Sequence, residues 1–218
     1  MLSLWRVNTI CALALAVFAG SVATGKPPAR FEFEQAHMGT RFRLALYAPD
    51  AEAATRAAEA AFNRVARLDA TMSDYKETSE LSRLCREAAG RPVKVSEDLF
   101  RVLAASQHLA ARTGGAFDIT AGPVIRLWRR ARRTGELPDP ERLAQARELT
   151  GYQKVRLDEK RRTVQLEKSG MLLDLGGIAK GYAAQEAMAV LKQHGIRNAL
   201  VAAGGDIVVS APPPGARG

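Results

Sequence analysis

The sequence predicts an α+β fold of mixed, mainly antiparallel sheets with packed helices. Two pairs of short segments alternate apolar and polar residues, 31–36 with 41–47 and 154–158 with 163–167, and each pair is typical of a β-hairpin. Other segments place apolar residues every three or four positions, which indicates amphipathic helices. Because hairpins and helices are mixed along the chain rather than strictly alternating, their order favours α+β over a doubly wound parallel sheet.

The longest predicted helix follows Asp50, whose side chain is suited to cap a helix N-terminus. Apolar residues recur there with helical spacing and form one face: Ala54, Ala57, Ala58, Ala61, Phe62, Val65, Leu68 and Met72. We expect this face to pack on a sheet or on a second helix.

Capping and breaking residues place the remaining elements. Ser79 or Ser82 starts a brief helix, and Ser96, followed by two acidic residues, opens another that stops at the glycine pair 114–115. The chain continues with an apolar and basic segment at 123–133, helices at 141–149 and 181–194, and strands at 171–175, 198–202 and 207–210.

The composition indicates a folded protein with anionic partners. The chain has 218 residues, of which 47% are hydrophobic and 25% charged, values that argue against wholesale disorder and against a protein that spans a membrane many times. A net charge of +9 favours pyrophosphates, nucleic acid or acidic lipid as partners.

The densest positive cluster is expected to be a solvated helix face, because charge runs are usually found at the surface. Its members are Arg126, Arg129, Arg130, Arg132 and Arg133. Only Trp128 interleaves with them, which is too little aromatic surface for a platform that binds single-stranded nucleic acid. We therefore expect no nucleic-acid partner.

The N-terminus predicts export. Arg6 precedes an apolar run at 10–19 and a small-residue stretch at 20–23, the pattern of a secretory signal peptide. The apolar run is shorter than the ~20 residues that a membrane-spanning helix needs. The protein is therefore expected in the periplasm or cell envelope.

These boundaries divide the chain into a signal peptide at 1–23, a short leader at 24–30 and one domain at 31–218. Cys11 leaves with the signal, so Cys85 has no partner for an internal disulfide and is expected to be buried and inert rather than catalytic.

Four short motifs combine glycine or small residues with a charged or hydrogen-bonding group in a loop. They lie at 37–40, 73–75, 114–118 and 174–181. In the last, a predicted strand ends at Asp174, glycines allow close backbone approach, and a helix begins near Lys180, so that amide groups, a helix N-terminus and a lysine converge on an anion.

Each motif by itself also has a structural interpretation. Lys180 fits an exposed position in a tight strand-to-helix turn, and Asp118 fits a helix or turn cap. Tyr75 fits a loop residue packed by its ring. The spacing around Lys180 is neither that of a Walker motif nor Gly-x-Gly-x-x-Gly.

Taken together, the motifs resemble the ApbE family of FAD:protein FMN transferases in order and spacing. The resemblance covers residues 31 to 218 and rests on Met38-Gly39-Thr40, Ser73-Asp74-Tyr75 followed by 79–84, Gly115-Ala116-Phe117-Asp118-Ile119-Thr120-Ala121-Gly122-Pro123, Asp174-Leu175-Gly176-Gly177-Ile178-Ala179-Lys180-Gly181-Tyr182 and Gly204-Gly205-Asp206.

The resemblance implies an α+β fold with FAD in a cleft and a Mg²⁺-dependent transfer of FMN to a threonine hydroxyl, with release of AMP. By motif position, the implied FAD contacts are Met38, Tyr75, Ala116, Phe117, Asp118, Asp174 and Lys180. Gly177 stands where the family supplies a backbone ligand to Mg²⁺. The implied acceptor is an exported or membrane-bound redox protein, such as a redox-pump or flavoprotein subunit, with association at the inner membrane.

The sequence departs from the family pattern at its end, where members continue into further strands and a helix that completes the metal site. We therefore expect a chain truncated at the C-terminus, with weak FAD binding, little transferase activity by itself, and an unpaired sheet edge near 198–210. The alternatives are a catalytically inactive FAD-binding remnant and a basic surface-binding protein that uses residues 126–133.

Overall fold

A computed structural model describes residues 27–216. The predicted signal peptide at 1–23 and the first part of the predicted leader lie outside the described residues, as do the last two positions of the chain.

Seven strands and six α-helices follow one another along the described chain. The strands are β1 (Ala29–His37), β2 (Thr40–Ala48), β3 (Val93–Lys94), β4 (Val155–Asp158), β5 (Thr163–Leu166), β6 (Ala199–Ala203) and β7 (Asp206–Val209). The helices are α1 (Ala51–Met72), α2 (Glu80–Glu87), α3 (Glu97–Arg112), α4 (Gly122–Thr134), α5 (Pro140–Glu148) and α6 (Ala179–Gln193).

Two antiparallel sheets confirm the predicted α+β class. One has four strands in the order β1-β2-β6-β7, and the other has three in the order β3-β5-β4. Both predicted hairpins are present, with β1 pairing with β2 and β4 pairing with β5. The strands predicted at the C-terminal end form a third hairpin, in which β6 pairs with β2 on one side and β7 on the other.

Helix α1 begins as predicted, because the Asp50 carboxylate accepts a hydrogen bond from the Ala53 amide at 2.7 Å. All eight residues of its predicted apolar face are buried. This face packs on the four-stranded sheet and on α6, which lies beside α1. One hydrophobic core runs from this layer to the three-stranded sheet.

Two shorter helices also begin at predicted residues, since Ser79, rather than Ser82, caps α2 and Ser96 caps α3. Helix α5 begins at Pro140, one residue before the predicted start, and Asp139 caps it through its side chain. Helix α6 begins at Ala179, two residues before the predicted start at Gly181.

The strand predicted at 171–175 is wrong. This segment is extended, but it joins no ladder within residues 27–216. Its apolar character reflects burial, because Met171, Leu173 and Leu175 all reach the core. The Leu173 amide donates only to the Cys85 sulfur, at 3.4 Å, and the Asp174 amide donates to the Ile119 carbonyl.

Cys85 is buried, as predicted, and burial raises the pKa of its thiol. A thiol that stays protonated is a weak nucleophile, which fits a structural residue.

In the described part of the chain, β7 is an outer strand of its sheet, and Ile207 and Val209 are exposed on it by 63% and 64%. No helix between residues 27 and 216 has the length and apolarity required to cross a membrane.

Candidate functional site

Loops from three parts of the chain meet at one end of the fold and, with Arg129 of α4, enclose a cleft of about 460 Å³. They are the β1–β2 turn, the segment after α1 and the loop before α6. The lining residues are Met38, Gly39, Asp69, Met72, Ser73, Asp74, Tyr75, Lys76, Arg129, Leu175, Gly176, Ala179 and Lys180. Of the predicted FAD contacts, Met38, Tyr75 and Lys180 therefore share one cavity.

The β1–β2 turn presents Met38 to the cleft. Met38 and Gly39 both have positive φ, 50° and 70°, as a two-residue hairpin turn of the favoured hand requires. The β6–β7 turn lies against it, since a Cβ built on Gly204 would approach the Thr40 hydroxyl to 2.6 Å. Only glycine at 204 allows the two turns to touch.

The segment after α1 is held by two serines. The Ser73 hydroxyl accepts hydrogen bonds from the amides of Tyr75 and Lys76, both at 3.3 Å. The buried Ser79 hydroxyl donates to the Ser73 carbonyl at 2.6 Å. The backbone that carries Tyr75 is thus fixed, while its side chain remains 74% exposed at the cleft.

The loop before α6 folds around Asp174. This carboxylate is 9% exposed and accepts from the Gly176 amide at 2.8 Å. Lys180 donates from Nζ to the Gly176 carbonyl at 2.5 Å. No side chain caps α6, in contrast to α1, α2, α3 and α5. The Ala179 amide donates to the Leu175 carbonyl at 2.8 Å, so the amides that follow it in the first turn, beside the lysine, are the ones that can offer partial positive charge to a ligand.

Arg129 corrects one prediction from the sequence. The predicted solvated face included all five arginines of 126–133, but the Arg129 side chain enters the site. Its guanidinium donates to Asp174 at 2.6 Å and to Asp74, and it lies over the Tyr75 ring, 4.6 Å from the ring centroid. The sequence carried one signal for this role of an arginine. Asp74 and Asp174 lie in two of the predicted ligand motifs, and a pair of carboxylates that is taken out of water needs a cation.

The Arg129 guanidinium stays positively charged in this site. Burial opposes the charged form, but the hydrogen bond to Asp74 and the charges of Asp174 and Asp74 outweigh it, so the pKa of the guanidinium is raised above its ordinary value. One guanidinium is therefore shared between Asp74, which lines the cleft, and Asp174, which is buried beside it.

The predicted contacts Ala116, Phe117 and Asp118 come from the connection between α3 and α4 and do not line this cleft. Phe117 lies under the loop before α6, since a Cβ on Gly177 would be 3.2 Å from its ring. Asp118 caps the short 3-10 turn at Ile119–Ala121, accepting from the Thr120 amide at 2.8 Å and the Thr120 hydroxyl at 2.6 Å. Its alternative interpretation as a cap is thus the one the structure displays.

A larger cavity of about 880 Å³ adjoins the cleft and shares Asp74 and Tyr75 with it. Helices α2 and α4 form its walls, and the extended segment 169–173 forms another side. Arg86 and Arg126 line it together with Asp74 and Glu77, so its charged lining is mixed.

The residues present do not complete a magnesium site. Between residues 27 and 216, no group of three or more histidine, cysteine or acidic side chains is arranged to hold a metal ion. Gly177 offers an exposed backbone carbonyl, and the nearby Asp174 is already bound by Arg129 and the Gly176 amide. Mg²⁺ requires nearly octahedral oxygen coordination, which these groups do not supply.

A polar network behind the site ties three helices together. Arg64 of α1 donates to Asp98 of α3 at 2.5 and 2.6 Å and to Glu186 of α6 at 2.5 and 3.0 Å. Tyr182, in the first turn of α6, donates to Asp98 at 2.7 Å. Burial and the Asp98 carboxylate raise the pKa of Tyr182 to about 12, so that it remains a donor.

Comparison with known proteins assigns this arrangement to a family. The ApbE family model matches residues 38–217. The chain belongs to the ApbE family. The match includes every residue that lines the cleft, from Met38 to Lys180.

Curated relatives in the ApbE family carry one description. The FAD:protein FMN transferase of Treponema pallidum is 31% identical over 210 residues, which are 93% of this chain and 57% of that protein. The FAD:protein FMN transferase of Haemophilus influenzae is 36% identical over 145 residues, which are 64% of this chain and 42% of that protein. The chain thus spans about half the length of these relatives.

Solved ApbE structures have the same fold. The flavin transferase ApbE from Vibrio cholerae gives a TM-score of 0.74 at 25% identity, over 85% of this chain and 60% of that one. The ApbE protein from Thermotoga maritima gives 0.75 at 30% identity, over 86% of this chain and 61% of that one.

Proposed function

We propose that this chain is the FAD-binding part of an FAD:protein FMN transferase. The observation that carries the proposal is the meeting of Met38, Tyr75 and Lys180 at one cleft beside the uncapped N-terminus of α6. The descriptions of the curated relatives support the same activity. FAD is the substrate, and its anionic pyrophosphate suits the cation and amide groups at Lys180.

In the proposed reaction, a threonine hydroxyl oxygen of the acceptor protein attacks the phosphorus on the FMN side of FAD. The bond from that phosphorus to the bridging oxygen breaks, AMP leaves, and the hydroxyl proton passes to solvent or to a base. Lys180 and the α6 amide groups hold the pyrophosphate and stabilise charge on the leaving phosphate. Tyr75 offers a ring face for stacking an aromatic ring of FAD.

We propose that the transfer depends on Mg²⁺ and that the Gly177 carbonyl is one of its ligands. The described side chains do not supply the remaining ligands. Asp174 is better suited to hold the loop than to act as a base, because it is nearly buried and bound to Arg129.

We propose export to the periplasm or cell envelope, and an acceptor that is a redox-pump or flavoprotein subunit at the inner membrane.

A second candidate function is FAD binding without transfer. It is favoured by the observation that residues 27–216 bring no metal-binding side-chain cluster to Gly177. The two functions share the cleft and differ in whether AMP is produced.

The test is AMP release from FAD. The protein is incubated with FAD and a membrane fraction of its own cells, with Mg²⁺ or with EDTA, and AMP is quantified while proteins are separated under denaturing conditions. Transferase activity predicts Mg²⁺-dependent AMP and a fluorescent flavin-protein band. FAD binding with neither product favours the second function, and absence of FAD binding contradicts both.

A further inference from the structure

Arg129 connects three groups of the cleft that come from distant parts of the chain. Its guanidinium donates to Asp74, in the segment after α1, and to Asp174, in the loop before α6, at 2.6 Å. The same group lies 4.6 Å from the centroid of the Tyr75 ring. An arginine presents five donors in a planar fork, and its flat face can stack on an aromatic ring at the same time.

Tyr75 needs such a partner to keep an orientation. Its backbone is fixed by Ser73, but its side chain is 74% exposed, and an exposed tyrosine ring samples several rotamers. The guanidinium covers one face of the ring and leaves most of the side chain open to the cleft. The ring is thus held ready to stack a flat ligand.

The charge of Arg129 addresses a second requirement. Asp74 lines the cleft and Asp174 lies buried beside it, so two negative charges stand near a ligand with a pyrophosphate. Without a cation between them, these carboxylates would repel that ligand. With Arg129 in place, one oxygen of each carboxylate accepts a hydrogen bond from the guanidinium, and the local charge falls from two negative to one.

We infer that Arg129 is a positioning residue of this site: it orients Tyr75 as the stacking surface for FAD and offsets one of the two acidic charges beside the cleft, so that the cleft is formed before FAD binds. The inference rests on the proposed FAD binding and assigns a role to a residue outside the motifs that define the family resemblance. Preorganisation of this kind improves affinity by reducing the ordering that binding would otherwise require.

The experiment compares Arg129→Ala and Arg129→Lys with Arg130→Ala in the full chain. Arg130 is the next residue on the same helix and is exposed, so its removal is a matched loss of one arginine. FAD titrations give the dissociation constant and the fluorescence of the bound flavin, which stacking on tyrosine quenches. Circular dichroism and the thermal midpoint confirm that each variant is folded.

We expect Arg129→Ala to raise the FAD dissociation constant by about tenfold or more and to restore part of the bound flavin fluorescence. Arg129→Lys keeps the charge but loses the planar fork, so it recovers part of the affinity and none of the quenching. Arg130→Ala behaves as the wild type. If Arg129→Ala does not fold, Arg129→Lys still separates charge from stacking.

A double-mutant cycle with Tyr75→Ala tests the connection between the two side chains. If Arg129 acts through Tyr75, the combined variant loses less affinity than the product of the two single losses. Three results overturn the inference: wild-type affinity in Arg129→Ala, full recovery of affinity and quenching in Arg129→Lys, or strictly multiplicative losses in the cycle. A wild-type chain that fails to bind FAD would instead overturn the proposed function, and the inference with it.

Discussion

Lys180 supplies most of the available positive charge in the cleft. Its ammonium group donates to a neutral carbonyl, that of Gly176, and so keeps its full charge for a ligand. Lys76, which also lines the cleft, is paired with Asp69 at 2.7 Å. Arg129 is shared between two carboxylates. An anion entering this cleft therefore meets Lys180 and the amide groups of α6 as its main uncompensated partners.

Replacing Lys180 with alanine is expected to weaken FAD binding about tenfold or more, because it removes a charge-assisted contact to the pyrophosphate. Riboflavin has no phosphate, so its binding should change little. Isothermal titration of both ligands checks this, with Lys192→Ala at the far end of the same helix as the control. Equal losses for FAD and riboflavin would place Lys180 away from the phosphates.

The contact between the β1–β2 and β6–β7 turns requires glycine at position 204. It has φ +60° and its Cβ position falls 2.6 Å from the Thr40 hydroxyl, whereas Gly195, with φ +80°, has no atom within 4 Å of its Cβ position. Replacing either glycine with alanine costs about 1–2 kcal/mol, because alanine is disfavoured at positive φ. Only Gly204→Ala also creates an overlap in the contact between the two turns.

We therefore expect Gly204→Ala to lower the free energy of unfolding by about 1–3 kcal/mol more than Gly195→Ala does. Chemical denaturation of both variants measures the difference. Equal destabilisation by the two substitutions would show that the β1–β2 and β6–β7 turns are not in contact in solution.

Single residues differ in how far the sequence could predict them. Asp50, Ser79 and Ser96 act on amides within three residues, so their capping roles follow from local order. Arg129 contacts residues 55 and 45 positions away, and nothing in its own segment distinguishes it from its neighbours. A contact between residues that are far apart in the sequence cannot be predicted from a local sequence pattern.

At the scale of elements, α6 and its loop are stabilised by the Arg64, Asp98, Tyr182 and Glu186 network. The hydrogen bond from Arg64 lowers the pKa of Asp98, and the Tyr182 hydroxyl adds to this effect, although burial opposes it. A carboxyl with a folded pKa below its unfolded value stabilises the fold above the unfolded pKa. That stabilisation is lost as the pH falls through the folded pKa.

Acid should therefore weaken the protein below the ordinary aspartate pKa of 3.8, in part through Asp98. Asp98→Asn is expected to reduce stability at neutral pH by about 1–3 kcal/mol and to flatten this part of the pH dependence. Unfolding curves between pH 7 and pH 2 measure both effects. Glu97→Gln is the control, since Glu97 is 67% exposed in its pair with Arg101, and a profile shared by both variants would contradict the role of the network.

Elements with a strong period were predicted well. The eight buried residues of α1 recur at helical spacing, so burial and periodicity coincide. The segment 171–175 has the composition of a strand but lies in the core without a ladder, where Gly122 packs against the Leu172 carbonyl. An apolar run indicates that a segment is buried, but burial alone does not determine which groups its backbone amides and carbonyls bond to.

At the scale of the whole molecule, the described sheet ends at β7. Ile207 and Val209 project from this outer strand with about two thirds of their surface exposed, 63% and 64%. An apolar outer strand is a template for pairing with another strand. Within residues 27–216, the unpaired edge predicted near 198–210 is therefore limited to β7, because β6 pairs with β2 on one side and with β7 on the other.

The double substitution of Ile207 and Val209 to lysine should reduce self-association of this chain, because charge on an outer strand opposes strand pairing. Light scattering against concentration measures the effect. Leu137→Lys is the matched control, since Leu137 is 84% exposed but lies in the α4–α5 connection rather than on a strand. An equal effect of the control would assign the association to general surface hydrophobicity.

The central claim is that three loops from separate parts of the chain form one FAD site, and amide hydrogen exchange with and without FAD tests it most directly. Binding at this site predicts slower exchange in residues 37–40, 73–76 and 174–181, with no change in the three-stranded sheet of β3, β4 and β5, which does not line the cleft. Protection confined to the three-stranded sheet, or no protection at saturating FAD, would contradict the account.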